Sequence, residues 1–284
     1  MTAKKRSVEL FPATAFPIET LTETYNRARI DYIVPMPMNV ARMRAYIHNY
    51  DVELESSVIA TLGREIVGLG MLGVRDQRAW ITRLGVAPNK RRNNAGQGMM
   101  EYLIQQAKER GAQQVTLEVI KDNWPAFYLF KKLGFHVTRE LLVLRRPPIK
   151  AQLKRKPYTL TFLDAATVSA LLEGRQSQPS WLDELPSLRK AGNLEGLKIR
   201  LVDGSYGWVA YQHALYQLAR IVLQPETGDK MTVAHALLHA LHTRHLLHDT
   251  KLENLPAVDP YRKVFEEFGY LVSFTRIEMH LDLS

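Results

Sequence analysis

The 284-residue chain carries 38 Lys and Arg against 29 Asp and Glu, a formal net charge of +9, with 46% hydrophobic and 24% charged residues. That balance is ordinary for a soluble globular protein, and no segment reaches the run of about 20 apolar residues that spans a bilayer. The lack of cysteine excludes disulfides, thiolate nucleophiles and Cys-based zinc sites and fits a reducing cytoplasm.

A single core rarely grows beyond about 250 residues, so two domains are expected. The start has Lys4, Lys5 and Arg6 but no apolar stretch of signal-peptide length, so a cytoplasmic location is expected. Basic clusters at Lys90-Arg91-Arg92, Arg145-Arg146 and Lys154-Arg155-Lys156 suit an anionic partner, either nucleic acid or a phosphorylated cofactor. The clusters are scattered and form no helical stripe, so nucleic acid is not expected and a solvated surface explains most of the charge.

In chain order, Ser7 to Phe11 alternates like a short strand, and Ile18 to Ile33 and Val40 to Tyr50 have helical spacing, with VPMPM breaking the pattern between them. Ser57 to Thr61, Glu65 to Val74 and Ala79 to Val86 read as an antiparallel meander, with turn signals at Leu62-Gly63 and Arg75-Asp76. Gly96 to Arg110 reads as a helix ending at Gly111, Val115 to Ile120 as a buried strand, Ala126 to Leu133 as a helix stopped by Gly134, and Phe135 to Leu144 as a strand.

The stretch RRPPIKAQLKRKP from Arg145 to Pro157 reads as a linker. Beyond it the same order recurs. Leu223 to Pro225 answers Val86 to Pro88, Leu252-Glu253 answers Leu117-Glu118, and VFEEFGYLVSFTRIEM from Val264 answers LFKKLGFHVTRELLVL from Leu129, at an offset of 135 to 137 residues. Three ordered matches at a near-constant offset indicate duplication. The expectation is two similar α/β units, residues 1–148 and 149–284.

The stretch Ile81 to Ala107, ITRLGVAPNKRRNNAGQGMMEYLIQQA, runs from a strand through a polar turn into a helix. The first amides of such a helix lack partners and point outward beside the positive end of its dipole, which makes an anion site. Gly96 permits close backbone approach, and Asn94 tolerates the left-handed conformation that amide nests use. Arg91 and Arg92 can neutralise phosphate at the rim. Gly98, inside the first turn, costs about 1 kcal/mol relative to alanine, which room for a ligand would justify. The competing reading is an ordinary basic loop capping an ordinary helix.

This segment resembles the cofactor loop of the GNAT superfamily of N-acetyltransferases, Gln/Arg-x-x-Gly-x-Gly/Ala, set a fixed distance after a Val-x-Pro strand end. Here it reads Arg91-Arg92-Asn93-Asn94-Ala95-Gly96, five residues after Val86, with Asn94 in place of the first glycine. Leu117 to Val119, Asn123, Ala126 and LFKKLGF from Leu129 continue the likeness, which covers nearly all of residues 5 to 146. The resemblance implies a mixed α/β fold, a mostly antiparallel twisted sheet with helices on both faces and splayed central strands. It also implies acetyl-coenzyme A as cofactor and a small-molecule or peptide amine as acceptor. Leu84, Gly85 and Val86 would then meet the acyl-pantetheine arm, with a backbone N–H near Val86 stabilising charge on the carbonyl oxygen. Arg91 through Gly96, followed by Gln97 and Gly98, would cradle the pyrophosphate, with Asn123 on the opposite wall.

Phe130, which the resemblance also counts among the cofactor-binding residues, stands where the family's usual proton-donating tyrosine belongs. Tyr128 lies about 200° away around the helix and cannot simply replace it. Glu118 is the candidate base, with an even chance of facing solvent. Tyr32, Trp80 and Arg83 are candidates for the acceptor pocket, though aromatics beside a strand are more often core. In the second unit, Met231 and Val233 fall where the loop needs Asn94 and Gly96, so that site is expected to be closed to cofactor. His235, His239, His242, His245 and His248 crowd one segment, and the first three lie within about 60°. No acidic ligand accompanies them in the pattern, so a solvated polar stripe is expected and no metal. The leading expectation is an acetyl-coenzyme A-dependent N-acetyltransferase, monomeric or homodimeric, and the alternative is a non-catalytic acyl-coenzyme A-binding module.

Overall fold

A computed structural model describes residues 7–149 and 157–283. The basic cluster Lys154-Arg155-Lys156 and most of the expected linker lie outside the described residues. In chain order the first elements are β1 (Val8–Pro12), α1 (Ile18–Ala28), α2 (Val40–Asn49), β2 (Val58–Leu62), β3 (Glu65–Arg75), β4 (Arg78–Val86), α3 (Ala95–Glu109), β5 (Gln114–Ile120), α4 (Trp124–Lys132) and β6 (His136–Arg146). Then come β7 (Tyr158–Leu163), α5 (Ala165–Glu173), α6 (Leu185–Ala191), β8 (Leu194–Leu201), β9 (Tyr206–Ala214), β10 (Gln217–Pro225), α7 (Lys230–Arg244), β11 (Asp249–Pro256), α8 (Arg262–Glu267) and β12 (Leu271–Asp282). The expected mixed α/β class is the observed one.

The first helix is shorter than its periodicity suggests. It buries Leu21, Tyr25 and Ala28 and stops there, leaving Ile30 and Ile33 exposed. The Pro-rich segment decides this: Asn26 hydrogen-bonds both backbone groups of Met38, at 2.8 and 2.9 Å, and the Tyr25 hydroxyl donates to the Met36 carbonyl at 3.1 Å. A longer helix would carry the chain away from those anchors.

The chain divides into two units. One holds the described residues up to Thr138 together with those from Ile277, and the other is Arg139–Arg276. The expected boundary at 148 is therefore not where the units part. In the first unit the strand order is β1-β2-β3-β4-β5 followed by β12, with β1 to β4 antiparallel and β4 parallel to β5. In the second the order is β7-β8-β9-β10-β11 followed by β6, the same arrangement with β10 parallel to β11. The strand that follows α4 thus ends among the strands of the second unit, and the strand that follows α8 ends among those of the first. Arg145 and Arg146 belong to β6 rather than to a linker; Arg146 is fully buried and donates to the Phe268 and Ile149 carbonyls at 2.8 and 2.6 Å.

The first core is built by α3, whose Met99, Met100, Leu103 and Ala107 pack on Val58, Ala60, Leu72, Ile81, Val115 and Leu117, with Ile277 and Met279 completing it. Each fully buried side chain of this size stabilises by about 1.5–3 kcal/mol. In the second core Val233, Leu237, Leu238 and Leu241 of α7 do the same against Leu197, Val209 and Leu218.

The parallel pairs explain why duplication gives a groove. β4 pairs with β5 only from Arg78↔Gln114 to Ile81↔Leu117, and β10 pairs with β11 only from Gln217↔Asp249 to Ala219↔Lys251. Just past each point sits an arginine with left-handed backbone, Arg83 at φ 53° and Arg220 at φ 51°, at an irregularity in the antiparallel register on the other side. An extra residue bends the strand away from its neighbour. Both units repeat it at equivalent positions.

The histidine segment is not a solvated stripe. His242 and His245 are buried, His242 sharing a hydrogen bond with the Tyr270 hydroxyl at 2.9 Å and His245 with that of Tyr211 at 3.1 Å. His235 pairs with Glu267 of α8 at 2.9 Å, a partner 32 residues on that helical spacing could not reveal.

Two outcomes follow from this architecture. A fragment ending at residue 148 lacks Ile277 and Met279 and leaves Leu142 and Leu144 of β6 without the rest of their core, so it is expected to be insoluble or to lack a cooperative unfolding transition, as circular dichroism against the full chain will show. Second, burial, with the nearby Arg146 charge, pushes the His242 imidazole down to about 3 from about 6.5 in an unfolded chain. Between those values the unfolded state binds more protons, so stability present above pH ~6.5 is lost as pH falls, with a slope approaching about 1.4 kcal/mol per unit. His242→Gln is expected to reduce the acid-side slope by about one proton in urea titrations; an unchanged slope would contradict the assignment.

Candidate anion-binding groove

Where β4 leaves β5, the first unit opens a groove of about 600 Å³. Its floor is the departing end of β4, Leu84, Gly85 and Val86; its walls are the start of α3 and, across from it, Asn123, Pro125, Ala126 and Leu129 of the α4 turn. Gly85 is favoured by packing, because a Cβ there would lie a tight 3.0 Å from that of Ala28. Arg83 keeps its left-handed backbone, which costs a non-glycine residue about 1–2 kcal/mol, through a 2.9 Å hydrogen bond to the Tyr25 hydroxyl and a stack 4.0 Å above the Tyr46 ring.

The turn between β4 and α3 has the form of an anion nest. Arg92 and Asn94 are both left-handed, at φ 67° and 60°, separated by one residue. Such alternation turns successive amides toward a common concavity. Asn94 is the N-cap residue of α3 but makes no side-chain cap, and the first turn contains no acidic residue. The helical ladder begins with the Gly98 amide donating to the Asn94 carbonyl at 2.9 Å, so the amides of Ala95, Gly96 and Gln97 precede it. A Cβ on Gly96 would find Leu129 and Val86 no nearer than 3.8 Å, and the glycine leaves that space open to the groove.

The matching helix of the second unit is built differently. Asp229 caps α7 with its own carboxylate, accepting from the Met231 amide at 3.2 Å and the Thr232 hydroxyl at 2.6 Å. Val233, at the position of Gly96, is fully buried against Gly207, where a Cβ would come within 2.7 Å of it. The helix terminus that stays open in one unit holds an internal anion in the other.

Of the residues singled out in the sequence, Leu84, Gly85, Val86, Arg91, Arg92, Asn94, Ala95, Gly96, Gln97, Asn123 and Tyr32 come together around this groove. Asn93 and Gly98 do not line it. Gly98 faces β1, where its Cβ would meet only Leu10 at 3.7 Å, so ligand room is not the reason for that glycine. Phe130 is buried in the core 6.1 Å from the Phe135 ring, and Tyr128 is 64% exposed. Trp80 is core, packed on Tyr46 and Tyr50, and its indole donates to the Glu118 carboxylate at 2.7 Å. Glu118 is thereby held to an aromatic cluster with Arg83, rather than turned fully to solvent.

Sequence reasoning missed Asp31. It lines the groove and grips the Arg91 guanidinium with both oxygens, at 2.7 and 2.6 Å, and that contact holds its carboxyl below the usual carboxylate range. Arg29 was missed as well; it stacks on Tyr32 at 4.2 Å and reaches the Leu84 carbonyl at 3.5 Å. Both come from the turn after α1, and no local pattern connects them to a loop 60 residues later.

This geometry belongs to a fold shared with known acetyltransferase structures. The chain superposes on a GCN5-related N-acetyltransferase from Sphaerobacter thermophilus with a TM-score of 0.74 at 15% identity, covering 97% of this chain and 95% of that one. It superposes on a tandem GNAT protein from the clavulanic acid biosynthesis pathway with a TM-score of 0.68 at 14% identity, over 97% and 98% of the two chains. At such identities the likeness is one of fold. Residues 20–135 match the model of the acetyltransferase (GNAT) family. Two curated relatives match shorter stretches: a streptothricin acetyltransferase of Streptomyces lavendulae, 37% identical over 60 residues, and the uncharacterized N-acetyltransferase YobR of Bacillus subtilis, 33% identical over 70. These stretches cover 21% and 25% of this chain and 32% and 28% of the relatives.

Because nothing crowds the Gly98 position, Gly98→Ala is expected to raise unfolding stability by up to about 1 kcal/mol through helix propensity, measured by denaturant titration. A loss of stability would place β1 closer to α3 than described.

Proposed function

We propose that the first unit binds acetyl-coenzyme A and transfers its acetyl group to a primary amine on a small molecule or peptide. The observation that carries this reading is the uncapped start of α3, with its left-handed Arg92 and Asn94, opening onto the gap between β4 and β5. The streptothricin acetyltransferase relative and the family match support acyl transfer, and the N-acetyltransferase name of the other relative supports an amine as acceptor.

The donor set fits the group. The amides of Ala95 to Gln97 and the positive end of α3 favour a diphosphate, and Lys90, Arg91 and Arg92 add charge at the rim. Arg91 is shared with Asp31, so an entering phosphate competes with a carboxylate for the same guanidinium. Leu84 to Val86 present strand backbone along the groove, suited to an extended amide-bearing arm. When bound, acetyl-coenzyme A supplies a thioester that an amine can attack directly. The chain's part is to align the two reactants and to set a backbone N–H near Val86 against the carbonyl oxygen.

The proton inventory is thin. Phe130 is apolar and buried, and Glu118 is engaged by the Trp80 indole, so proton transfer falls to water or to the acceptor itself, forgoing the roughly 10²–10⁴-fold that a placed acid contributes. Those same two residues favour the second reading, a module that binds acyl-coenzyme A without turnover. Thiol release from acetyl-coenzyme A across a panel of amines separates the two.

Gly96→Trp fills the space beside Leu129 and Val86 and is expected to weaken coenzyme A binding at least about 100-fold, roughly 2.7 kcal/mol by calorimetry. Asp229→Ala removes the cap of the second unit, costing about 1 kcal/mol of stability, and is expected to leave coenzyme A affinity unchanged. Normal binding by Gly96→Trp would displace the pyrophosphate from this turn.

A further inference from the structure

The second unit brings together three histidines that helical spacing does not pair. His213 lies on β9, His245 is the C-cap residue of α7, and His248 lies three residues later, just before β11. One ring nitrogen from each lies within 4.8 Å of the others, and His213 Nε2 and His248 Nε2 are 3.1 Å apart. Two imidazole nitrogens bound tetrahedrally to one ion at about 2.0–2.1 Å stand about 3.3 Å from each other.

The surroundings settle which nitrogens are available. His213 Nδ1 faces Glu195 Oε1 at 2.8 Å, so its proton sits on Nδ1 and the Nε2 lone pair is left pointing at His248. The Tyr211 hydroxyl donates to Glu195 Oε2 at 3.0 Å. That hydroxyl therefore accepts from His245 Nε2, 3.1 Å away, which leaves the His245 lone pair on Nδ1. One carboxylate thus orients two imidazoles, directly and through a tyrosine. Outer partners of this kind fix the tautomer of metal-ligating histidines and raise their basicity.

Charge and access agree with this arrangement. The carbonyl end of α7 presents the negative pole of its dipole at His245, where a cation is favoured. Glu195 adds a negative charge that faces the cluster, and the neighbouring Arg244 guanidinium, stacked on the Phe162 ring at 4.4 Å, also reaches the Tyr211 hydroxyl and partly offsets that charge. The His213 side chain is 30% exposed, so the cluster has a path to solvent. In a chain without cysteine, all-imidazole ligation suits zinc, cobalt, nickel or copper rather than magnesium or calcium.

We infer that His213, His245 and His248 form a binding site for one divalent transition-metal ion of the zinc type, which ties the end of α7 to β9. This inference is independent of the proposed acetyl transfer. The competing arrangement is a plain hydrogen bond between His213 and His248 with no affinity for metal.

Untagged full-length protein, stripped with chelator and titrated with Zn²⁺ or Co²⁺, is expected to take up one ion per chain, and the Co²⁺ form to show the visible absorption of a tetrahedral nitrogen site. His213→Ala and His248→Ala are each expected to lower affinity by more than the 10–100-fold that loss of an outer partner costs, the loss expected of Glu195→Gln. His239→Ala, on α7 but outside the cluster, keeps wild-type affinity. Far-UV circular dichroism checks folding, and Glu195→Gln decides the matter if a histidine variant does not fold. Wild-type protein that takes up no ion, or cluster variants that bind as tightly as it does, overturn the inference.

Discussion

The departure of β4 from β5 after Ile81 is the constraint on which the rest of the first unit depends. Up to that residue the two parallel strands share a ladder; beyond it Arg83 adopts a backbone that a side chain normally avoids, and the strand bends away. The cost of that conformation is about 1–2 kcal/mol, offset by the Tyr25 hydrogen bond and the stack on Tyr46. Without the bend, β5 would cover Leu84 to Val86 and there would be no groove beside the start of α3. The second unit repeats the device at Arg220, whose guanidinium reaches Gln212 at 3.1 Å.

The two units share this frame and differ at the helix that faces it. An N-terminus of a helix needs something to satisfy its first amides. In the first unit that demand is left open to the groove, with cations gathered around it. In the second, Asp229 meets it from within the chain and Val233 fills the place of the flexible glycine. A duplicated scaffold can therefore keep its core while one copy gives up an anion site, because the capping residue lies outside the packed interior.

The exchange of final strands has a physical consequence as well. Each unit's closing strand is supplied by the other half of the sequence, so neither half of the chain contains a complete core. Ile277 and Met279 are as much part of the first core as Leu103 is. Loss of the last dozen residues would strip a strand from a unit whose helices end 140 residues earlier.

Much of the proposed site was legible in the sequence because its signals are local. A strand end, a fixed spacer, an Asn that accepts a left-handed backbone and a Gly at the first helical turn are all neighbours along the chain, and Asn94 does adopt φ 60°. The duplication was readable for the same reason, as a near-constant offset. Asp31, the role of Glu118 as acceptor for a buried indole, and the exchange of β6 and β12 were not readable, since each depends on partners tens of residues or more away. The histidines show the divide most plainly: periodicity grouped His235, His239 and His242 on one helix, whereas tertiary packing buried His242 and joined His245 and His248 to His213 on a strand. Spacing determines which residues share a helix face, but only the packed chain decides which faces meet.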